Sequence, residues 1–321
     1  MRAKATSRKV VLAALAGNLA IAAIKFAAAL FTGSAGLLSE AVHSLVDSVN
    51  EVLLLYGLHR AAKRPDDDHP FGYGRELYFW SFIVALLVFA LGAGVSVYQG
   101  VGQMRSPVAL EHAAAGYVVL CASLVFEGAS WRVAMKEFRA AKGDMGYFEA
   151  FRKSKDPTTF TVLFEDSAAL LGLGIAFLGI LGSQLLHEPR LDGAASIGIG
   201  VVLAVASVFL ARETKALLIG ESALPEVRKA ILEIAGKDPA IRRANGLLTV
   251  QMGREEVVAA LSAEFEDHLQ TPGIEACVNR IEAEVKTRYP EVSILFVKPQ
   301  TPETWRMRRR EHRQGNGGSR A

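Results

Sequence analysis

Apolar residues gather into six long blocks, at 10–31, 36–58, 77–101, 113–131, 158–186 and 193–211, separated by polar stretches. Each block approaches or exceeds the ~20 residues that an α-helix needs to cross a hydrocarbon core of about 30 Å. Six membrane helices are therefore predicted in a transmembrane domain over 10–215. The fifth block is longer than a span requires, so its start projects out of the bilayer or the helix tilts. Beyond 215 the pattern becomes that of a water-exposed unit. A helix is predicted at 225–235, strands at 246–252 and 256–265 joined by a turn at Gly253-Arg254, a helix at 271–289 opened by Thr271-Pro272, and a strand at 292–297. The order αββαβ implies a small two-layer α+β domain over 222–299. The end, 300–321, is rich in Arg and Gly and reads as a basic disordered tail. The start, 1–9, is basic and precedes the first block without a small-residue cleavage site, so it is read as leading into a retained helix.

The second block is unlike the others. Glu40, His43, Asp47, Asn50 and Glu51 follow i, i+3, i+4 spacing and fall within an arc of about 100° of a helix that is otherwise apolar. Ionisable groups in hydrocarbon are costly, so they pair, line a water-filled cavity or bind an ion. Hydrogen bonding to neighbouring helices would explain one such residue. An imidazole and a carboxylate one turn apart, His43 and Asp47, suit a divalent transition metal better. The fifth block carries Glu165 and Asp166. At 1.5 Å per residue, Asp47 and Asp166 each lie about 15 Å from the start of their helices, so both reach the middle of the bilayer. Asn18, Lys25 and Glu127 are isolated polar groups for which structural pairing is expected, Lys25 with acid on the second helix and Glu127 with Arg132. Glycines such as Gly172, Gly179 and Gly198 serve close helix packing.

The formal net charge of +3 is too small to suggest nucleic acid as a partner. Cys121 and Cys277 are far apart and form neither a zinc-type pair nor a disulfide framework. Lys and Arg concentrate in the second connection (Arg60, Lys63, Arg64, Arg75) and the fourth (Arg139, Lys142, Arg152, Lys153, Lys155). The first, third and fifth connections hold none, Arg105 and Arg190 respectively. This bias places both termini in the cytoplasm, and a bacterial inner membrane is the expected location. The fourth connection has no histidine, and Asp156-Pro157 reads as N-cap and first residue of the fifth helix.

Thr32-Gly33-Ser34-Ala35 leading to His43-x-x-x-Asp47 and Asn50, then Asp66-Asp67-Asp68-His69-Pro70-Phe71-Gly72-Tyr73-Gly74, and Asp166 together resemble the cation diffusion facilitator family of divalent-metal/proton antiporters. The likeness extends over almost the whole chain. It implies six transmembrane helices with a metallochaperone-like cytoplasmic dimerisation domain, hence a homodimer. It also implies export of a divalent cation, Zn2+ before Mn2+, Fe2+ or Co2+, in exchange for protons, with no catalytic residue and no cofactor beyond the transported metal. The implied metal ligands are His43, Asp47, Glu165 and Asp166, with Asp66 and His69 as a possible second site. The family's fifth helix commonly supplies His-x-x-x-Asp. Here Val162 stands at the histidine position, and the adjacent Glu165 is the expected substitute, as in a Glu-Asp branch of zinc transporters. Tyr73, Ser262 and Phe296 likewise stand where further ligands would be, and His268 is alone. A membrane metallohydrolase would need an open metal site with a general base, and H-E-x-x-H is absent. A non-transporting scaffold of the same fold is the remaining alternative.

Overall fold

The computed structural model describes residues 2–314 apart from 111, 144, 148–149 and 151–154. Arg152 and Lys153 of the basic fourth connection, and the glycine-rich end at 315–321, lie outside the described residues. The chain falls into two compact units. One comprises Met1–Ala62 with Glu76–Lys215, and the other Lys63–Arg75 with Ala216–Ala321.

The first unit is built from long helices: α1 (Arg2–Thr32), α2 (Ala35–Ala61), α3 (Arg75–Arg105, π-helical over Val88–Ala93), α4 (Ala113–Lys142), α5 (Pro157–Leu185) and α6 (Arg190–Ile219). Among the described residues, four of these have helical stretches long and apolar enough to cross a membrane: Arg75–Arg105, Ala113–Ala140, Phe160–Leu185 and Arg190–Ile219. In α1 the described apolar stretch is Gly17–Thr32, and α2 is of spanning length with its ionisable groups in the middle. Large apolar side chains such as Leu30, Val125, Leu178 and Val208 point outward and are exposed. So much apolar surface fits a bilayer and not water. The protein is an α-helical, multi-pass membrane protein with a small sheet-containing domain.

Helix ends follow local chemistry. Gly33, at φ +71°, reverses the chain between α1 and α2 in a region that side chains disfavour. Ser34 caps α2, its hydroxyl accepting from the Leu37 N–H at 3.1 Å. The Asp156 carboxylate accepts from the Thr158 N–H at 3.1 Å with Pro157 at the first helical position, as the dipeptide predicts. α6 is longer than expected and continues through Arg212, Glu213 and Lys215 to Ile219. Charged side chains end an apolar block without ending a helix. Small residues bring helices close: a Cβ on Gly193 of α6 would lie 2.9 Å from the Gly100 carbonyl oxygen of α3.

The second unit contains α7 (Pro225–Lys237), β1 (Ile241–Gly253), β2 (Glu256–Phe265), α8 (Thr271–Arg288) and β3 (Val292–Pro299). β2 is central, antiparallel to β1 and parallel to β3. Val227, Ile231, Leu261, Cys277, Ile281, Val285 and Leu295 form its core. Burial pushes the Cys277 thiol up to about 11, so it is an inert core residue. β1 begins at Ile241, five residues before the predicted start, because register shifts between Ile241/Arg243 and Ala244/Gly246 break the alternation that marks a strand. Within the expected disordered tail, 302–314 differ from that expectation, since α9 (Pro302–Gln314) continues the chain as a helix. The Thr301 hydroxyl accepts from the Thr304 N–H at 3.3 Å, and Trp305 packs on Gly246 of β1, where a Cβ would come within 2.6 Å of its ring. The segment Lys63–Arg75 belongs here as well. A Cβ on Gly74 would be 2.6 Å from the Met252 carbonyl oxygen, so glycine allows that approach.

Candidate metal site

The polar arc of α2 faces inward. Glu40, His43 and Asn50 are buried and Asp47 is half-buried. His43 is 1% exposed, and neither of its ring nitrogens has a hydrogen-bond partner. Its Nδ1 lies 3.4 Å from Asp47 Oδ1, an oxygen that also lacks a hydrogen bond. Buried polar atoms are rarely left unsatisfied, and those that are call for an explanation such as an absent ion. On α5, Glu165 is buried and its Oε1 accepts from Asn50 Nδ2 at 2.8 Å, while Asp166 Oδ2 accepts from the Ser130 hydroxyl of α4 at 3.0 Å.

Asp47, Glu51, Glu165 and Asp166 line one cavity of about 550 Å³, with Val162 on the same wall. Its lining runs from Asp47 to Leu58 along α2 and from Asp166 back to Thr158 along α5. At the other end, Gly36 of α2 lies against Ala176 of α5. The two helices are thus antiparallel, and the cavity extends toward the C-terminal end of α2. A smaller adjoining cavity of about 50 Å³ is lined by Ser44, Asp47, Glu127, Ser130 and Asp166.

The structure therefore brings Asp47, Glu165 and Asp166 to one cavity and sets His43 beside Asp47, outside the lining of either cavity. Among the described residues, no three His, Cys, Asp or Glu side chains converge into a formed metal cage. The arrangement is an open set of carboxylate oxygens with one imidazole beside it, a chemistry that suits a borderline or hard divalent cation held loosely.

Behind this site lies a buried ionic cluster that the sequence only half revealed. Lys25 of α1 is fully buried, and its Nζ donates to the Ser44 hydroxyl at 2.7 Å, to Glu40 Oε2 at 3.4 Å and to Glu127 Oε1 at 3.3 Å. The pairing of Lys25 with acid on α2 is as expected. Glu127, expected opposite Arg132, turns to Lys25 instead. Five residues along a helix rotate a side chain by about 140°, so Arg132 does not share the face of Glu127.

The second candidate site sits in the Lys63–Arg75 segment. His69 Nδ1 is 3.6 Å from Asp66 Oδ1, and both side chains are exposed. The Tyr73 hydroxyl donates to Asp66 Oδ2 at 2.7 Å, and the His69 and Tyr73 rings lie 4.2 Å apart. The Tyr73 hydrogen bond, helped by the His69 backbone N–H, holds the Asp66 carboxyl below its ordinary range. Tyrosine thus occupies one oxygen that a metal would use. In the sheet domain Ser262 is buried on β2, Phe296 is exposed on β3 and His268 is exposed.

A profile of the cation efflux transmembrane domain matches residues 11–219. The chain is 35% identical over 288 residues to the proton-coupled zinc antiporter SLC30A9, mitochondrial, of Xenopus laevis, covering 87% of this chain and 51% of that protein. It is 32% identical over 240 residues to metal tolerance protein C4 of Arabidopsis thaliana (73% of this chain, 52% of that protein). It is 25% identical over 291 residues to the cation-efflux pump FieF of Klebsiella pneumoniae (89% and 90%). The chain spans about half the length of the first two of these relatives. With its whole helical bundle matched and its acids gathered on α2 and α5, the chain belongs to the cation efflux, or cation diffusion facilitator, family.

Proposed function

We propose that the protein is a divalent metal/proton antiporter that carries Zn2+, or else Mn2+, Fe2+ or Co2+, out of the cytoplasm. The observation that carries this reading is the cavity shared by Asp47 of α2 and Glu165 and Asp166 of α5, with His43 3.4 Å from Asp47. Carboxylates and imidazole bind metal only when deprotonated, so metal entry releases protons and proton entry releases metal. A site of this kind, exposed alternately to each side, exchanges one for the other. Its ligands are held by Asn50 and Ser130, but no cage closes round the ion, which suits a site that must let go. The names of two relatives, a zinc antiporter and a cation-efflux pump, agree with this assignment.

The Lys and Arg bias supports a cytoplasmic placement of both termini, and a bacterial inner membrane is the membrane proposed. The cavity, extending toward the C-terminal end of α2, then faces inward. Purified protein in sealed vesicles, given a panel of metals and an imposed proton gradient, should take up Zn2+ and move protons the opposite way. Vesicles that bind metal without moving it would favour the scaffold reading, to which Val162 lends its support.

The protein is further proposed to be a homodimer joined largely through the 222–299 domain without metal there. Two features support this: Ser262 and Phe296 are poor ligands, and the outer sheet face carries an exposed apolar row. Leu248, Ala260 and Phe296 form one cross-strand row on that face, with Leu248 and Phe296 51% and 53% exposed. Light scattering in detergent after chelation should give the dimer mass. A chelated sample at monomer mass would overturn metal independence.

A further inference from the structure

Asp192, at the start of α6, is fully buried. Its carboxylate faces the N-terminus of α2. Oδ1 accepts from the Ser34 hydroxyl at 2.6 Å, and Oδ2 accepts from the Ala35 N–H at 2.6 Å and the Gly36 N–H at 3.4 Å. Ser34 in turn accepts from Leu37 N–H, so Asp192 and Ser34 together satisfy the first three N–H groups of α2. Helix N-termini carry partial positive charge and orphan donors, which a carboxylate stabilises. An N-cap normally comes from the residue just before its own helix. This one comes from another helix, about 157 residues along the chain.

The anchor is tightly packed. A Cβ on Gly36 would lie 3.2 Å from Asp192 Oδ1 and 3.6 Å from the Ala176 Cα of α5. One turn deeper the tie is repeated: Ser39 and Ser196 hydroxyls are 2.6 Å apart, and Ser196 donates to the Ser96 carbonyl oxygen of α3 at 2.7 Å. α2 is therefore pinned in height and in rotation at the end from which His43 and Asp47 follow within about three and a half turns. Asp47 meets the α5 acids only if that rotation is kept, because a shift of one residue turns a side chain by about 100°.

The structure assigns Asp192 as a positioning residue for metal binding: it anchors α2 so that His43 and Asp47 are presented to Glu165 and Asp166. This rests on the proposed metal site, and the test separates the two. Zn2+ transport is measured in vesicles reconstituted with full-length Asp192→Asn, Ser34→Ala, the double variant and Asp47→Ala, each against the parent and normalised to inserted protein. Asp192→Asn should raise KM for Zn2+ at least about tenfold with a smaller change in kcat, the range seen when support of a metal ligand is lost. Ser34→Ala should raise KM a few-fold, and the double variant should be no worse than Asp192→Asn, since both act through one contact. A merely structural role would lower the yield of inserted protein and leave KM unmoved.

Unchanged KM in both single variants overturns the anchor. If Asp192→Asn does not insert, Ser34→Ala decides alone: a raised KM supports the anchor and an unchanged KM overturns it. If Asp47→Ala transports normally, it is the metal site that fails, whatever Asp192→Asn does. The anchor fails alone if Asp47→Ala is inactive while the Asp192 and Ser34 variants keep the parental KM.

Discussion

Zn2+ transport is expected to fall by more than about 100-fold when Asp47 or Asp166 is replaced by alanine, with the protein still inserted and dimeric. Loss of a residue that merely supports a metal ligand already costs about 10- to 100-fold in affinity or activity, and loss of a ligand should cost more. The two acids come from antiparallel helices and line both cavities. Among the described residues neither pairs with a Lys or Arg: Asp47 Oδ1 has only the His43 ring beside it and no hydrogen bond, and Asp166 holds one from Ser130. A buried acid retained for stability would instead be paired, as Glu40 is with Lys25. Removing Ser130 as Ser130→Ala should weaken transport by a smaller factor, about tenfold or less. Flux in vesicles at fixed protein density checks all three. Parental rates in Asp47→Ala or Asp166→Ala would mean that the cation passes elsewhere.

The polar arc of α2 was legible in the sequence because helical periodicity alone places Glu40, His43, Asp47 and Asn50 on one face. The meeting of Asp47 with Asp166 was legible from depth, since both are about 15 Å into helices of fixed rise. What stayed hidden depends on contacts between distant positions. Glu127 and Lys25 are 102 residues apart, and nothing local to Glu127 announces that partner. Asp192 looks like an ordinary acid in the first turn of α6, and only the packing of α2 on α6 turns it into a cap for a different helix. The helical character of Pro302–Gln314 was masked by its arginines, although Thr301-Pro302 is a start signal. Its Trp305 sits in the gap over Gly246, a contact that no local propensity encodes.

Glu165→Gln is expected to lower Zn2+ affinity about tenfold or more and to shift the pH dependence of transport, because an amide neither binds the cation as a charge nor exchanges a proton with it. Adjacent helix positions point about 100° apart, so Glu165 and Asp166 cannot both face α2 squarely. The structure resolves this by reach: Glu165 crosses to α2 and takes the Asn50 amide at 2.8 Å, while Asp166 turns toward Ser130. Both still line the cavity with Asp47, so a cation there would sit between two carboxylates of α5 approached from different sides. Val162 lies on the same wall one turn earlier, with its side chain partly exposed, so a histidine at that position would enter the cavity. The double change Val162→His with Glu165→Ala should therefore recover Zn2+ transport and disfavour Mn2+, since it trades a hard oxygen for an imidazole. Asn50→Ala, which frees Glu165 without removing it, should cost less than Glu165→Gln. If Glu165→Gln keeps the parental affinity, pH profile and metal preference, the carboxylate only attracts cations to the cavity and the ligand set is His43, Asp47 and Asp166 alone.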